Sequence, residues 1–159
     1  MDTPWSVTGN QVKIAEATLP WELRKHHCQE GPAVIIRNDR VFMAYSANST
    51  DYKYCMGLLT AAADADLLDP KSWIKSPAPV LDSDPQAGQW GPGHNSFTTT
   101  PDGKTDILVY HARNYKYDGK DPLNTGDRAT RAQIIRWRAD GTPDFGPPVA
   151  DGLHLLPAQ

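Results

Sequence analysis

The chain has 159 residues, a length that suits a single domain. Hydrophobic residues make up 39% of it and charged residues 22%, which excludes wholesale disorder. The formal net charge is only -3 and the 16 basic residues form no tract, so we expect neither nucleic acid nor a membrane as a partner. No apolar run reaches the roughly 20 residues that span a bilayer, and the first residues lack the features of a secretory signal.

Short strands joined by turns are the predicted elements of the first half. The 14 prolines and 12 glycines of the chain disfavour long helices and favour such strands. The predicted strands are the runs 5–15, 33–37, 41–47, 53–60 and 73–80. A tight hairpin joins the second and third of them at Asn38 and Asp39, while Pro77 and Pro79 confine the last to a sheet edge. A short helical turn is expected within residues 61–71.

The second half repeats this order of elements. Its predicted strands are the runs 95–100, 106–112, 132–138 and 145–149, and residues 114–130 are predicted to form an exposed loop. Four antiparallel strands in sequence form one blade of a β-propeller. We therefore predict an all-β fold with two blade units, at about residues 30–82 and 91–150. Residues 5–15 would be an outer strand of a preceding blade.

Three side chains next to Gly-Pro turns are candidates for chemistry. Glu30 precedes such a turn and an apolar strand in the run QEGPAVII, so an acid is expected at a strand end. His94 follows a similar turn in the run GPGHNSF. Trp90, just before that turn, offers an indole on which the apolar face of a sugar ring could stack.

The two cysteines, Cys28 and Cys55, form no metal motif because they lack CxxC spacing. We expect both to be buried free thiols, and a disulfide between them is the alternative.

Several strings of the sequence together resemble glycoside hydrolase family 43, the five-bladed β-propeller arabinofuranosidases, xylosidases and arabinanases. They are QEGPAVII at 29–36, YCMGLL at 54–59, GPGHNSF at 91–97 and LVYHA at 108–112. The resemblance implies that Glu30 is the general acid that protonates the leaving oxygen. It implies that His94 lies on the propeller axis beside a calcium or other ion, which is held largely through water. It also implies that Arg131 reaches the bound sugar, with Arg128 as the alternative.

The chain departs from the family pattern ahead of Glu30. Family members carry a general-base Asp and a third, pKa-tuning Asp well before the EGP glutamate, whereas only 29 residues precede it here. The chain is therefore expected to be a C-terminal portion of the propeller, with about two blades plus an outer strand. Alone it would be nearly inactive, and its protein partner would be the missing N-terminal half or a second copy of itself.

The activity that the resemblance implies is inverting hydrolysis of O-glycosyl bonds in arabinose- or xylose-containing plant saccharides. The strings YCMGLL and GPGHNSF are most similar to the α-L-arabinofuranosidase type, and a β-xylosidase specificity stays open. The alternative is a non-catalytic carbohydrate-binding or assembly module derived from such an enzyme. No cofactor other than the axial ion is expected.

Overall fold

A computed structural model describes residues 3, 5, 6 and 9–152. The first of its sheets has four antiparallel strands in the order β1-β2-β3-β4. Their bounds are β1 Gln29–Arg37, β2 Arg40–Ala47, β3 Cys55–Ala62 and β4 Ile74–Lys75. Two 3₁₀ turns, Pro20–Leu23 and Pro70–Ser72, accompany this sheet, and no α-helix occurs among the described residues.

The β1–β2 hairpin is confirmed where the sequence predicted it. Asn38 and Asp39 form its two-residue turn with φ of 54° and 56°, and Arg37 pairs with Arg40 to close it. A type I′ turn needs φ above zero at both central positions, which Asn and Asp tolerate better than most residues.

The second sheet has three antiparallel strands, β5 Trp90–Thr99, β6 Asp106–Arg113 and β7 Ala129–Ile134. A further pair, β8 Arg136–Trp137 and β9 Pro143–Asp144, follows it. The register of β5 against β6 shifts twice between Trp90 and Ser96. These bulges bend the start of β5, where His94 takes a φ of 50°.

The main core lies between the two sheets. Alternate residues of β2 and β6 point into it, so that Phe42 and Ala44 meet Leu108 and Tyr110. Every residue of this core is at most 7% exposed, including Phe145 from the end of the chain. The arrangement is that of two neighbouring propeller blades packed face to face, and the all-β prediction is confirmed.

A second, smaller core covers the outer part of the first sheet. Tyr45, Ala47, Cys55 and Leu59 are buried there beneath Trp21 from the first 3₁₀ turn. On the same face of this sheet, strand β1 has no such cover among the described residues. Val34 and Ile36 on β1 are therefore 48% and 57% exposed.

Three predicted elements of the first half differ in the structure. Residues 9–15 form no strand, so the predicted outer strand 5–15 is wrong over the part that is described continuously. The helical turn expected within 61–71, before Trp73, is confirmed only at its end, as the 3₁₀ turn Pro70–Ser72. Residues 63–69 form tight turns, because the carboxylate of Asp66 accepts the amide of Leu68 and competes with a helix. The run 73–80 shortens to β4, since the amide-free Pro77 and Pro79 cannot pair.

Two predictions at the end of the chain also change. The run 132–138 is confirmed in part. It starts earlier, as β7, and is broken at Ile135, whose side chain turns into the core. The edge strand predicted at 145–149 is wrong. It is replaced by β9, because Pro147 and Pro148 lack the amides that a strand donates.

Candidate active site

One end of both sheets carries the side chains that the sequence singled out. Gln29 pairs with Ala47 and Ala47 with Cys55, while Trp90 pairs with Arg113. The loops that follow β2, β4 and β6 therefore lie at the same end of the sheets as the first residues of β1 and β5. We call this end the mouth. The three loops are residues 48–54, 76–89 and 114–128.

An open cleft of about 580 Å³ lies at the mouth between the two sheets. Glu30 and Thr50 from the first sheet and its loop form one side. The second sheet contributes His94, Ser96, Val109, His111 and Thr130, and the 114–128 loop adds Leu123, Gly126 and Arg128. Glu30 and His94 are thus brought together on the walls of one cleft.

The Glu30 carboxylate is exposed and is held through one oxygen. The hydroxyl of Tyr54 donates to Glu30 Oε1 at 2.6 Å. Tyr54 is completely buried, and burial together with the bond to Glu30 raises the pKa of its phenol well above the ordinary value. The phenol therefore stays protonated and remains a donor, which leaves Oε2 of Glu30 available to another group.

The Tyr54 ring is fixed from two sides. It stacks on the imidazole of His111, with ring centroids 5.5 Å apart and planes inclined by 4°. Gly93 lies against its edge so closely that a Cβ atom there would be 2.7 Å from Tyr54 Cδ1. Only glycine fits at position 93 without moving the ring that holds Glu30.

His94 touches the turn that follows Glu30. A Cβ atom on Gly31 would lie 3.3 Å from His94 Nδ1, so the imidazole packs directly on this turn. The His94 amide donates to Ser46 Oγ at 2.7 Å, which joins the two sheets at the cleft floor. The rings of His94 and His111 are 6.4 Å apart and nearly parallel.

His111 and Arg128 form the opposite wall, and the sequence reasoning did not select His111. Arg128 Nη1 lies 3.2 Å from His111 Nε2. Burial, followed by the charge of Arg128, lowers the pKa of His111 to about 4, so the imidazole is neutral near pH 7. A neutral ring accepts the guanidinium N–H at Nε2 and carries its own proton on Nδ1. That atom is buried and has no hydrogen-bond partner among the described residues.

Arg131 and Trp90 lie outside the set of residues that lines the cleft. Arg131 sits within β7, where it donates to Gln89 at 2.8 Å and pairs with Asp151 at 2.7 Å. Of the two predicted arginines, the alternative Arg128 therefore faces the cleft. Trp90 starts β5 at the mouth, with its ring edge-on to Tyr52 at 6.5 Å.

The buried guanidinium of Arg113 organises the 114–128 loop. Its side chain is 1% exposed and pairs with Asp127 at 2.7 Å. It also donates to the carbonyls of Thr50 at 2.5 Å and Pro122 at 2.9 Å, and to Thr125 Oγ1 at 2.8 Å. These contacts fix both ends of the loop and hold Arg128 at the cleft.

A metal held by protein ligands does not fit the described residues. Within residues 9–152 and the three described before them, no three His, Cys, Asp or Glu side chains are grouped so that they could hold an ion. Calcium prefers six to eight oxygen ligands, which His94 alone does not supply. Cys28 and Cys55 are both free, as predicted, but only Cys55 is fully buried.

Two antiparallel sheets packed as adjacent blades, with an open cleft at one end, are the architecture of part of a β-propeller. The chain belongs to glycosyl hydrolases family 43, whose model matches residues 1–143. It is 54% identical over 152 residues to the Alpha-L-arabinofuranosidase 43 of Humicola insolens, covering 96% of this chain and 32% of that protein. An extracellular exo-alpha-(1->5)-L-arabinofuranosidase of Streptomyces avermitilis is also 54% identical, with the same coverage.

Solved structures agree with the family assignment. An alpha-L-arabinofuranosidase from Lactobacillus brevis superposes with a TM-score of 0.91 at 49% identity, covering 97% of this chain and 47% of that one. A thermostable family-43 glycoside hydrolase superposes with a TM-score of 0.74 at 31% identity, covering 93% of this chain and 46% of that one. The chain thus spans about a third of the length of the curated relatives it matches.

Proposed function

We propose that this chain supplies the general acid of an α-L-arabinofuranosidase-type glycosidase, and that Glu30 is that acid. The observation that supports it is the Glu30 carboxylate, exposed in the cleft and held at Oε1 by the protonated hydroxyl of Tyr54. A proton on Oε2 would then be the one delivered to the glycosidic oxygen. Two relatives at 54% identity are both named as arabinofuranosidases, which favours arabinose over xylose as the sugar released.

The remaining predicted residues take supporting roles in this proposal. Arg128, donating to neutral His111 from the opposite wall, is better placed than Arg131 to meet sugar hydroxyls. Trp90 would contact sugar units farther from the bond that is cleaved. Inverting hydrolysis also needs a second carboxylate, which activates water on the other face of the sugar. We propose that this base comes from blades outside the chain.

The decisive experiment replaces Glu30 in a protein completed by an N-terminal propeller half. Glu30→Gln should reduce cleavage of arabino-oligosaccharides by about 10² to 10⁴, the usual contribution of a general acid. Aryl arabinofuranosides should be affected much less, since their leaving groups need little protonation. Glu16→Gln, an exposed glutamate paired with Lys13, is the matched control and should leave both rates unchanged. Equal losses on the two substrates would contradict the role assigned to Glu30.

The arrangement of the chain in the propeller is a further part of the proposal. Residues 30–82 and 91–150 would be two C-terminal blades, and the exposed Val34 and Ile36 would face the missing half. The chain alone should show no turnover of aryl arabinofuranosides and should self-associate. Co-expression with the N-terminal half should restore solubility and activity together. A monomeric and active 159-residue chain would overturn this part of the proposal.

We propose separately that a hydrated calcium ion binds beside His94. Because protein ligands are lacking among the described residues, such an ion would be bound through water and held weakly. Metal analysis of the completed protein, before and after chelation, tests it directly. About one equivalent of calcium that is lost in His94→Ala would support the ion, and a metal-free protein would exclude it.

A further inference from the structure

An aromatic and cationic cluster lies at the mouth beside the cleft. Lys116 Nζ is 4.4 Å from the centre of the Tyr52 ring and 5.8 Å from that of Trp90. On the same Tyr52 ring, Lys53 Nζ lies at 5.2 Å. We call Tyr52, Lys53, Trp90 and Lys116 the mouth platform.

The mouth platform is built on the loops that form the cleft. Thr50 lines the cleft two residues before Tyr52, and Leu123 lines it from the loop that carries Lys116. The Tyr52 amide donates to the carbonyl of Tyr117 at 2.9 Å, which ties the two loops together. A saccharide that extends from the cleft along these loops would therefore reach the platform.

The charges of the mouth platform are not neutralised within the described part of the chain. Neither Lys53 nor Lys116 has a carboxylate within ion-pair distance there, whereas Lys25 is paired with the buried Asp51 at 2.8 Å. Two ammonium groups next to one ring repel each other, and an anion placed between them would relieve that repulsion. Aromatic faces next to cations suit a ligand that has both an apolar ring face and a negative charge.

We propose that the mouth platform is a subsite for a hexuronic acid residue of the polysaccharide. The sugar ring would stack on the indole of Trp90, with the Tyr52 ring edge-on beside it, and the sugar carboxylate would bind the ammonium groups of Lys116 and Lys53. The identification of the ligand as a carbohydrate rests on the proposed function. The site would bind arabinose-bearing polymers that also carry uronic acids in preference to neutral ones.

Binding can be measured by calorimetry on the completed protein carrying Glu30→Gln, so that no turnover interferes. The probes are trigalacturonic acid and its fully methyl-esterified form, which has the same rings without the charge. The acid should bind about tenfold more tightly than the ester, because two partly exposed ion pairs contribute roughly that much. Its affinity should fall as salt is raised.

Matched variants assign the effect to the platform. Lys53→Gln combined with Lys116→Gln should abolish the preference for the acid. Lys104→Gln removes an exposed lysine from the β5–β6 turn, at the opposite end of the sheet, and should preserve that preference. Equal binding of acid and ester, equal losses in all variants, or no binding at all would overturn the proposal. None of these outcomes bears on Glu30, whose role is read from turnover alone.

Discussion

Replacement of Arg113 by Met is the most informative test of how the cleft is held in shape. Met keeps the apolar length of the side chain but removes the guanidinium, which is completely buried. Asp127 then loses its ion pair, and the carbonyls of Thr50 and Pro122 lose their donors. The loop that carries Arg128 loses its link through Arg113 to Thr50 and keeps the bond between the Tyr52 amide and the Tyr117 carbonyl.

The expected cost follows from these partners. Removal of one member of a buried ion pair usually destabilises a protein by about 3 to 5 kcal/mol. Asp127 is 25% exposed and keeps its bonds to Thr125 and Tyr115, so part of the loss is offset by water and these neighbours. We therefore expect a loss close to the lower limit, about 3 kcal/mol of unfolding free energy, or roughly 10 °C in Tm for a chain of this size.

Urea unfolding followed by circular dichroism measures this cost, and trypsin digestion reports the loop itself. Arg113→Met should make the chain rapidly cleavable after Lys116 and Lys120. Arg113→Lys should be intermediate in its rate of cleavage, because an ammonium group cannot reproduce the several fixed N–H donors of the guanidinium. Arg136→Met is the control, since Arg136 is exposed and has no side-chain partner within the described residues. If Arg113→Met keeps both the wild-type midpoint and its trypsin resistance, the argument fails.

Two further predictions concern the support of the first sheet. Burial acts to raise the pKa of Glu22, but bonds from Leu19, Thr18, Lys75 and Tyr45 lower it from 4.5 to about 2. The ionised Glu22 should therefore contribute its full share to the free energy of unfolding above pH 4.5. This contribution, about 2 to 3 kcal/mol, should be lost as the pH falls from 4.5 to 2. The free energy of unfolding of Glu22→Gln, measured over the same pH range, should not show this loss. Gly57→Ala should cost about 1 to 3 kcal/mol in urea unfolding, because its Cβ would lie 2.6 Å from Trp21, and a wild-type midpoint would contradict the close packing.

The regular strands were predictable because their signals are local. Apolar runs closed by Asn38 and Asp39 specify a hairpin from a few neighbouring residues. The second strand of each sheet, β2 and β6, begins within one residue of its predicted start. Errors occur where tertiary context decides, as at Ile135, whose side chain turns into the inter-sheet core and breaks the strand predicted over 132–138.

The candidate site was predictable only in part. Glu30 precedes and His94 follows a Gly-Pro turn that is visible in the sequence, and both line the cleft. His111 has no such marker, because its role depends on Tyr54, a stacked partner from the 48–54 loop, and on Arg128 from another loop. The choice between Arg128 and Arg131 also depended on Asp151, whose ion pair with Arg131 no local pattern specifies.

The division of the cleft between two sheets has a consequence for the evolution of specificity. Glu30 belongs to one sheet and the His111–Arg128 wall to the other, and no backbone ladder joins the two sheets among the described residues. Their separation is therefore set by the size of interior side chains such as Phe42, Met56 and Leu108. Buried substitutions remote from any ligand could widen or narrow the cleft, so homologues with identical catalytic side chains can diverge in the sugars they accept.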